Sequence, residues 1–327
     1  YYHVYRFLYF STLEKKNGGK FMRAQIANYT LSKNDAAQKE FRRKILRNII
    51  VYLSLALYTV FLFFPFLIVI ITSFTTRQEL ADATGFVWIP QGSLEGYRIL
   101  FTNDPNAVNG IPSLLIGFFN TMWQAILPTV CGLAVSGLAA YAYAKYDFPG
   151  KNKFFAGNLL LMTIPLSAGM ASYLFYAGIG WTMGTASVLP LIIPGLFGSA
   201  GTIFFIYPYI KALPDGVVEA AKIDGMGFFG IFFHIILPLA KPVFLAQFLF
   251  GFVGCYNNYS GALLYLMSQK QLWPLQLALQ QITEFIGTRY TNAQCAAALI
   301  SMLPLLILYA FVQKFFIEGI TSGSVKG

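Results

Sequence analysis

The side chains best able to do chemistry are few in this chain and stand apart. His3 and His234 are its only histidines, and Cys131, Cys255 and Cys295 each lie within or beside an apolar run. Three widely spaced cysteines make neither a disulfide framework nor a zinc site. They read as small lipid- or core-facing residues. Gly19-Lys20 and Gly150-Lys151 have Glu14 and Lys145 where a phosphate-binding loop needs its first glycine. ATP therefore has no site of that kind here. No carboxylate pair falls within an apolar run, which leaves acid–base catalysis little to use. What remains is a polar insert, Glu219-Ala220-Ala221 followed by Gly225, Ile235, Leu237 and Pro238. No catalytic residue, no metal ligand and no cofactor of the chain's own are expected. Glu219 reads as a docking contact rather than a catalytic acid.

The elements around that insert are built for lipid. The 327 residues are 57% hydrophobic and 11% charged, against about 25% charged in soluble domains. Ile49 to Ile71 is a run of 23 residues without a charge, enough to cross roughly 30 Å of hydrocarbon. A second span is expected over 116–142, after a turn at Asn109-Gly110-Ile111-Pro112. Within it Gly132, Ser136, Ala140 and Ala144 recur every four residues, a spacing that lets helices approach closely. Phe154 to Ile210 holds 57 residues with no charge, about 85 Å as one helix. Gly178-Ile179-Gly180-Trp181 should split it into spans near 155–177 and 185–207. Pro190, Pro194, Gly195, Gly198 and Gly201 predict a kinked or closely packed second half. Pro242 to Gln269 and Tyr290 to Gln313 make a fifth and a sixth. The fold class is all-α, a polytopic membrane protein of six spans with a cytoplasmic helix–turn–helix.

Six spans put both ends on one side, with loops 144–153 and 208–241. That side carries nineteen of the 23 Lys and Arg, and the other carries four. The positive-inside rule makes the basic side cytoplasmic. The net charge of +10 is thus a topology signal, and no nucleic-acid partner is expected. Trp88, Trp181 and Trp273 fall in outer loops, as interfacial anchors would. The spans contain no Asp, Glu, Lys or Arg, which argues against proton coupling. The chain begins at Tyr1, and Met22 is a possible start.

Inside the insert, Leu213-Pro214-Asp215 opens a helix whose positive end Asp215 can cap or complement. Val217, Val218, Ala220, Ala221 and Ile223 give it a mostly apolar face, and Asp224-Gly225 suits its end. A second helix is expected over 228–236, closed by Leu237-Pro238. On physical grounds alone a lever for a partner and an amphipathic hairpin resting on lipid fit equally.

The spacing Glu219-Ala220-Ala221, Gly225, Ile235, Leu237-Pro238 resembles the signature loop of permease subunits of ABC importers. The tail Gly319-Ile320-Thr321-Ser322-Gly323-Ser324-Val325-Lys326-Gly327 is similar to that of the maltose-type sugar permeases. Ser73-Phe74, Asn120-Thr121 and Trp273-Pro274-Leu275 are weaker echoes, and the resemblance runs from about 45 to 327. It implies a second permease subunit, two cytoplasmic ATPases that carry the ATP and Mg, and an extracytoplasmic sugar-binding protein, all at a bacterial cell membrane. Glu219, Ala220, Ala221, Asp224, Gly225, Ile235, Leu237 and Pro238 would couple to the ATPase. Gly319, Thr321, Gly323, Lys326 and Gly327 would reach toward the ATPase pair, and 269–289 toward the binding protein. Where relatives place a Trp-Asn-acidic cluster, this chain has Tyr256-Asn257-Asn258-Tyr259. That set could touch a passing sugar, or bond one helix to another. The expected organisation is a basic segment 1–47, a first span 48–73, an outer loop 74–112, a transmembrane domain 113–318 with coupling loop 208–241, and a tail 319–327. A stand-alone secondary transporter or channel is the alternative.

Overall fold

The computed structural model describes residues 42–102, 104–163 and 169–324, with 315–324 by backbone alone. The basic segment before residue 42 lies outside it. By contact the chain forms two units, 1–68 and 69–327. Most of the first helix, α1 (Arg42–Ser73), belongs to the first unit. It starts in the Arg42-Arg43-Lys44 cluster and is exposed and apolar all round from Ile49 to Leu67, which suits a lipid or protein environment rather than water.

The second unit opens with two short helices, α2 (Arg77–Asp82) and α3 (Glu95–Thr102). Thr76 and Glu79 form a reciprocal capping box at the start of α2. The Thr76 backbone N–H, foremost among several donors, holds the Glu79 carboxyl below its ordinary range. The expected turn is present, with Asn109 and Gly110 both at positive φ beneath the Val108–Ile111 bridge.

Then comes α4 (Ser113–Lys145), 33 residues long and the axis of the unit. At about 50 Å it outruns the hydrocarbon and carries Lys145 beyond it. Next are α5 (Lys151–Thr163) and α6 (Met170–Gly178). The described residues of the expected span over 155–177 thus fall in two helices, with 164–168 outside the description. After Gly180, at φ +81°, a 3-10 turn leads into α7 (Leu189–Leu196) and α8 (Ala200–Lys211), broken at Gly198 as the glycines and prolines predict.

The stripe of small residues works as expected. Gly132 lies against the Gly195 carbonyl, and Ser136 Oγ accepts from the Ser199 N–H at 3.0 Å. A side chain at Gly198 would run into Ser136. Overpacking there would cost about 1–3 kcal/mol.

The insert forms α9 (Asp215–Ile223), then α10 (Phe228–Ile231), a π-turn over Phe232–Ile236 and α11 (Leu237–Leu239). Leu237-Pro238 therefore does not close the second helix, which runs on to Leu239. In an α-helix the Pro238 ring would strike the carbonyl of residue 234, and the π-turn falls on that stretch. The chain then bends by 86° into α12 (Lys241–Tyr256). The fifth expected span also breaks, at Asn257, before α13 (Tyr259–Leu266). The remaining helices are α14 (Leu275–Ile286) and α15 (Thr291–Ser324). Among the described residues four helices are long and apolar enough to cross a membrane, and five if the bent pair counts as one. The other expected crossings fall on α5 and α6, either side of the undescribed residues 164–168, and on the interrupted pair α12–α13.

Candidate coupling surface

The motif helix α9 is fixed from below and from both ends. Val218 and Ala221 are buried on a cluster that includes Ala140, Tyr141, Ile206, Ile210 and Phe232. Tyr146 and Phe228 extend this bed, with rings 5.3 Å apart, and Lys222 lies 4.5 Å over the Tyr146 ring. At the start of α9, Pro214 occupies the cap position and supplies no side-chain bond. Asp215 does not cap the helix but stands in its first turn, where its charge complements the positive end. Its carboxylate meets the Lys145 Nζ at 2.6 Å, and the same ammonium donates to the Leu213 carbonyl at 2.5 Å. The Lys145 side chain is 3% exposed and that of Asp215 78%. The hydrogen bond and charge of Lys145 hold the Asp215 carboxyl below its usual value.

The far end of α9 shows what the motif's glycine is for. The Gly225 N–H bonds the Lys222 carbonyl at 3.1 Å, and the Met226 N–H bonds the Ala221 carbonyl at 3.0 Å. This is a Schellman ending, which needs a left-handed residue after the cap. Gly225 supplies it at φ +80°. Ala221 is thus both a floor contact and a carbonyl acceptor.

Most of the remaining motif residues face outward. Glu219, Ala220, Asp224 and Gly225 are exposed, and so are Val217, Ile223, Met226 and Phe229. The apolar face read from the sequence is therefore two faces: Val218 and Ala221 point in, while Val217, Ala220 and Ile223 point out. Ile235 and Leu237 are half-buried against the cluster. Pro238 is exposed and lines an apolar groove of about 490 Å³ with Leu133, Leu237, Lys241, Phe244, Leu245 and Phe248. Among the described residues no group of three His, Cys, Asp or Glu could hold a metal.

At the opposite end of α4, two of the weaker echoes touch each other. Asn120 Nδ2 donates to the carbonyls of Gln271 and Trp273, at 2.8 and 3.0 Å. Thr121 Oγ1 accepts the Leu275 N–H at 2.7 Å, an otherwise orphaned donor in the first turn of α14. Gln124 Nε2 reaches the Leu272 carbonyl at 2.9 Å. Trp273 is 2% exposed and donates its indole N–H to the Leu266 carbonyl. It is a buried strut rather than the interfacial anchor expected. The region 269–289 is largely helix, with Leu275, Leu277, Ala278, Leu279 and Ile282 in the core and Gln280, Glu284 and Phe285 exposed.

The cluster at 256–259 falls at the α12–α13 break. Tyr256 is buried and donates to the Ser301 carbonyl at 2.7 Å, tying α12 to α15. Asn258 caps α13 by accepting the Gly261 N–H at 3.0 Å. Asn257 is exposed beside Gln276, and Tyr259 is half-buried. Lys326 and Gly327 lie outside the described residues. Gly319, Thr321 and Gly323 continue the α15 backbone, and their side chains lie outside the description.

Residues 36–322 match the family model of binding-protein-dependent transport system inner membrane components. The chain is 32% identical over 286 residues to the protein LplC of Bacillus subtilis (strain 168), covering 80% of this chain and 89% of that one. It is 33% identical over 238 residues to the arabinooligosaccharides transport system permease protein AraQ of the same organism, covering 72% and 79%. A crystal structure of a bacterial ABC transporter involved in import of the acidic polysaccharide alginate has a chain of the same fold. Its TM-score is 0.69 at 20% identity, over 83% of this chain and 96% of that one.

Proposed function

The chain belongs to the binding-protein-dependent transport system inner membrane components, and from that premise we propose that it moves sugars or oligosaccharides, driven by ATPases that dock on α9. As a permease subunit of such an importer it is a transport component and not an enzyme. The sugar assignment draws on the name of its relative AraQ and on the resemblance of the 319–327 tail to maltose-type permeases. A second permease subunit would complete the pathway, two cytoplasmic ATPases would supply the nucleotide sites, and an extracytoplasmic binding protein would deliver the solute. The excess of Lys and Arg on the α9 side supports a cytoplasmic placement of α9 and of both chain ends.

The observation that carries the docking reading is the division of labour within the motif. Ala221 and Gly225 close the helix, and Lys145 pins its start. Glu219, Ala220 and Asp224 are left outward on a rigid support. A helix held at both ends transmits a push, whereas a frayed one absorbs it. Nucleotide-driven closure of the ATPases would then shift the permease between its two facing states. The tail residues Gly319, Thr321, Gly323, Lys326 and Gly327 are proposed as a further ATPase contact.

Expression of the chain with its neighbouring transporter genes, followed by purification through this subunit, tests the reading. The ATPase and second permease should co-purify, and ATP hydrolysis should rise when the loaded binding protein is added. A subunit that transports alone, with no ATPase bound, would favour the stand-alone transporter. The solute carried by the binding protein identifies the cargo.

A further inference from the structure

A second feature, a largely apolar hollow edged by a few polar groups, lies away from α9, about midway along α4. A notch of about 180 Å³ opens between α4, the α7–α8 break and α12, and its walls include Thr129, Ser199, Thr202, Gln247, Gly251 and Cys255. Gln247, Gly251 and Cys255 follow one another every four residues on one face of α12. Gly251 lets that face approach α4, since a side chain there would meet the Thr129 methyl at 3.0 Å. Across the notch, Ser199 and Thr202 begin α8 at the break, their hydroxyls 2.8 Å apart.

Gln247 is the telling residue. It is half-buried in a helix otherwise composed almost wholly of apolar residues, and its amide has no hydrogen-bond partner among the described residues. A primary amide offers two donors and an acceptor. Leaving them unmet in hydrocarbon is strongly unfavourable, and lipid tails cannot meet them. Helices interrupted partway through the membrane are where transporters commonly form solute sites, and the Gly198–Ser199 break opens on this notch. At about 180 Å³ the space is large enough to hold water, with Thr129, Ser199, Thr202 and Gln247 as polar partners.

We propose that this notch is an aqueous stretch of the solute path, with Gln247 as a hydrogen-bonding group for neutral polyhydroxylated solutes. The solute class rests on the sugar-import reading above, while the aqueous character does not.

The test uses the assembled transporter with Cys131, Cys255 and Cys295 replaced by serine. A charged methanethiosulfonate reacts only with thiols that water reaches. Q247C and T202C should label at least ten times faster than F250C, which replaces an exposed apolar residue of α12. Labelling of Q247C and T202C no faster than F250C would overturn the aqueous path and favour a partner helix or lipid in the notch. Recognition is then read at T202C with a glucose-bearing methanethiosulfonate. Replacing Gln247 by Leu should slow that reagent about fivefold, the effect of losing one hydrogen bond, and leave the charged reagent unchanged. Equal slowing of both reagents would overturn the recognition role. Binding-protein-stimulated ATPase, measured on the same preparations, reports the coupling reading separately.

Discussion

The two ends of α4 treat their motif residues in opposite ways. At the Lys145 end, Glu219, Ala220, Asp224 and Gly225 are exposed, and the structure around them is closed by local bonds within α9 and one long-range ion pair. At the Ser113 end, Thr121, Trp273 and Leu275 are buried and Asn120 is bonded to the same segment, across some 150 residues of sequence. A buried motif residue that satisfies a backbone group serves the fold. An exposed one on a rigid support serves a partner. The contrast separates changes that should unfold the subunit from changes that should only disconnect it.

The largest effect is expected at Gly225. Valine there would have to hold φ near +80°, where a β-branched residue is a severe outlier. The Schellman ending should open, and uptake should fall more than tenfold while the amount of protein in the membrane stays the same. Normal uptake would break the lever. Next comes Thr121→Val at the other end, which leaves the Leu275 N–H buried and unmet and should destabilise the subunit by about 1–3 kcal/mol. A lowered melting temperature of the purified complex, with ATPase still bound, would sharpen the comparison. Loss of the ATPase without loss of stability would undo it.

Lys145→Met should come third. It leaves Asp215 and the Leu213 carbonyl without their shared donor and should lower coupled ATPase activity severalfold, with Arg restoring part of it. Because Asp215 is exposed, the pair itself adds little to stability in salt, so melting should move far less than with Thr121→Val.

The smallest effect is one of pH. Asp215 has its carboxyl depressed below 3.8 by Lys145. Its contribution is therefore full above that value and is lost as pH falls through the lower, folded-state value. Wild type and Asp215→Asn should differ by a constant amount from pH 5 to 8 and begin to converge only as pH falls below 3.8. Divergence on acidification would show that the sign is wrong.

Much of this was readable in the chain itself. The stripe Gly132-Ser136-Ala140, the turn at Asn109-Gly110 and the break at Gly198 depend on local backbone needs, which residue types state directly. Gly225 was legible as a helix end, although the Gly225–Lys222 and Met226–Ala221 bonds that close it appear only in the fold. Lys145 was not legible as a strut. As a basic residue at a span end it looks like any topology charge, and its partner lies 70 residues away. Trp273 misled for a related reason, since an indole between spans reads as an interfacial anchor until the Leu266 carbonyl is seen to accept from it. The π-turn before Pro238 and the pause at Asn257 arise from helix geometry that hydropathy does not register.

If α9 presents Glu219 and its neighbours to an ATPase, Ala220→Trp should displace that ATPase. Ala220 is exposed in the middle of the helix, so tryptophan there leaves the subunit's own packing intact and changes only what can approach. The measurement is the amount of ATPase that co-purifies with the variant, alongside its melting temperature. Most of the bound ATPase should be lost, with an unchanged melting temperature. Full retention of the ATPase, with wild-type uptake, would contradict docking on α9.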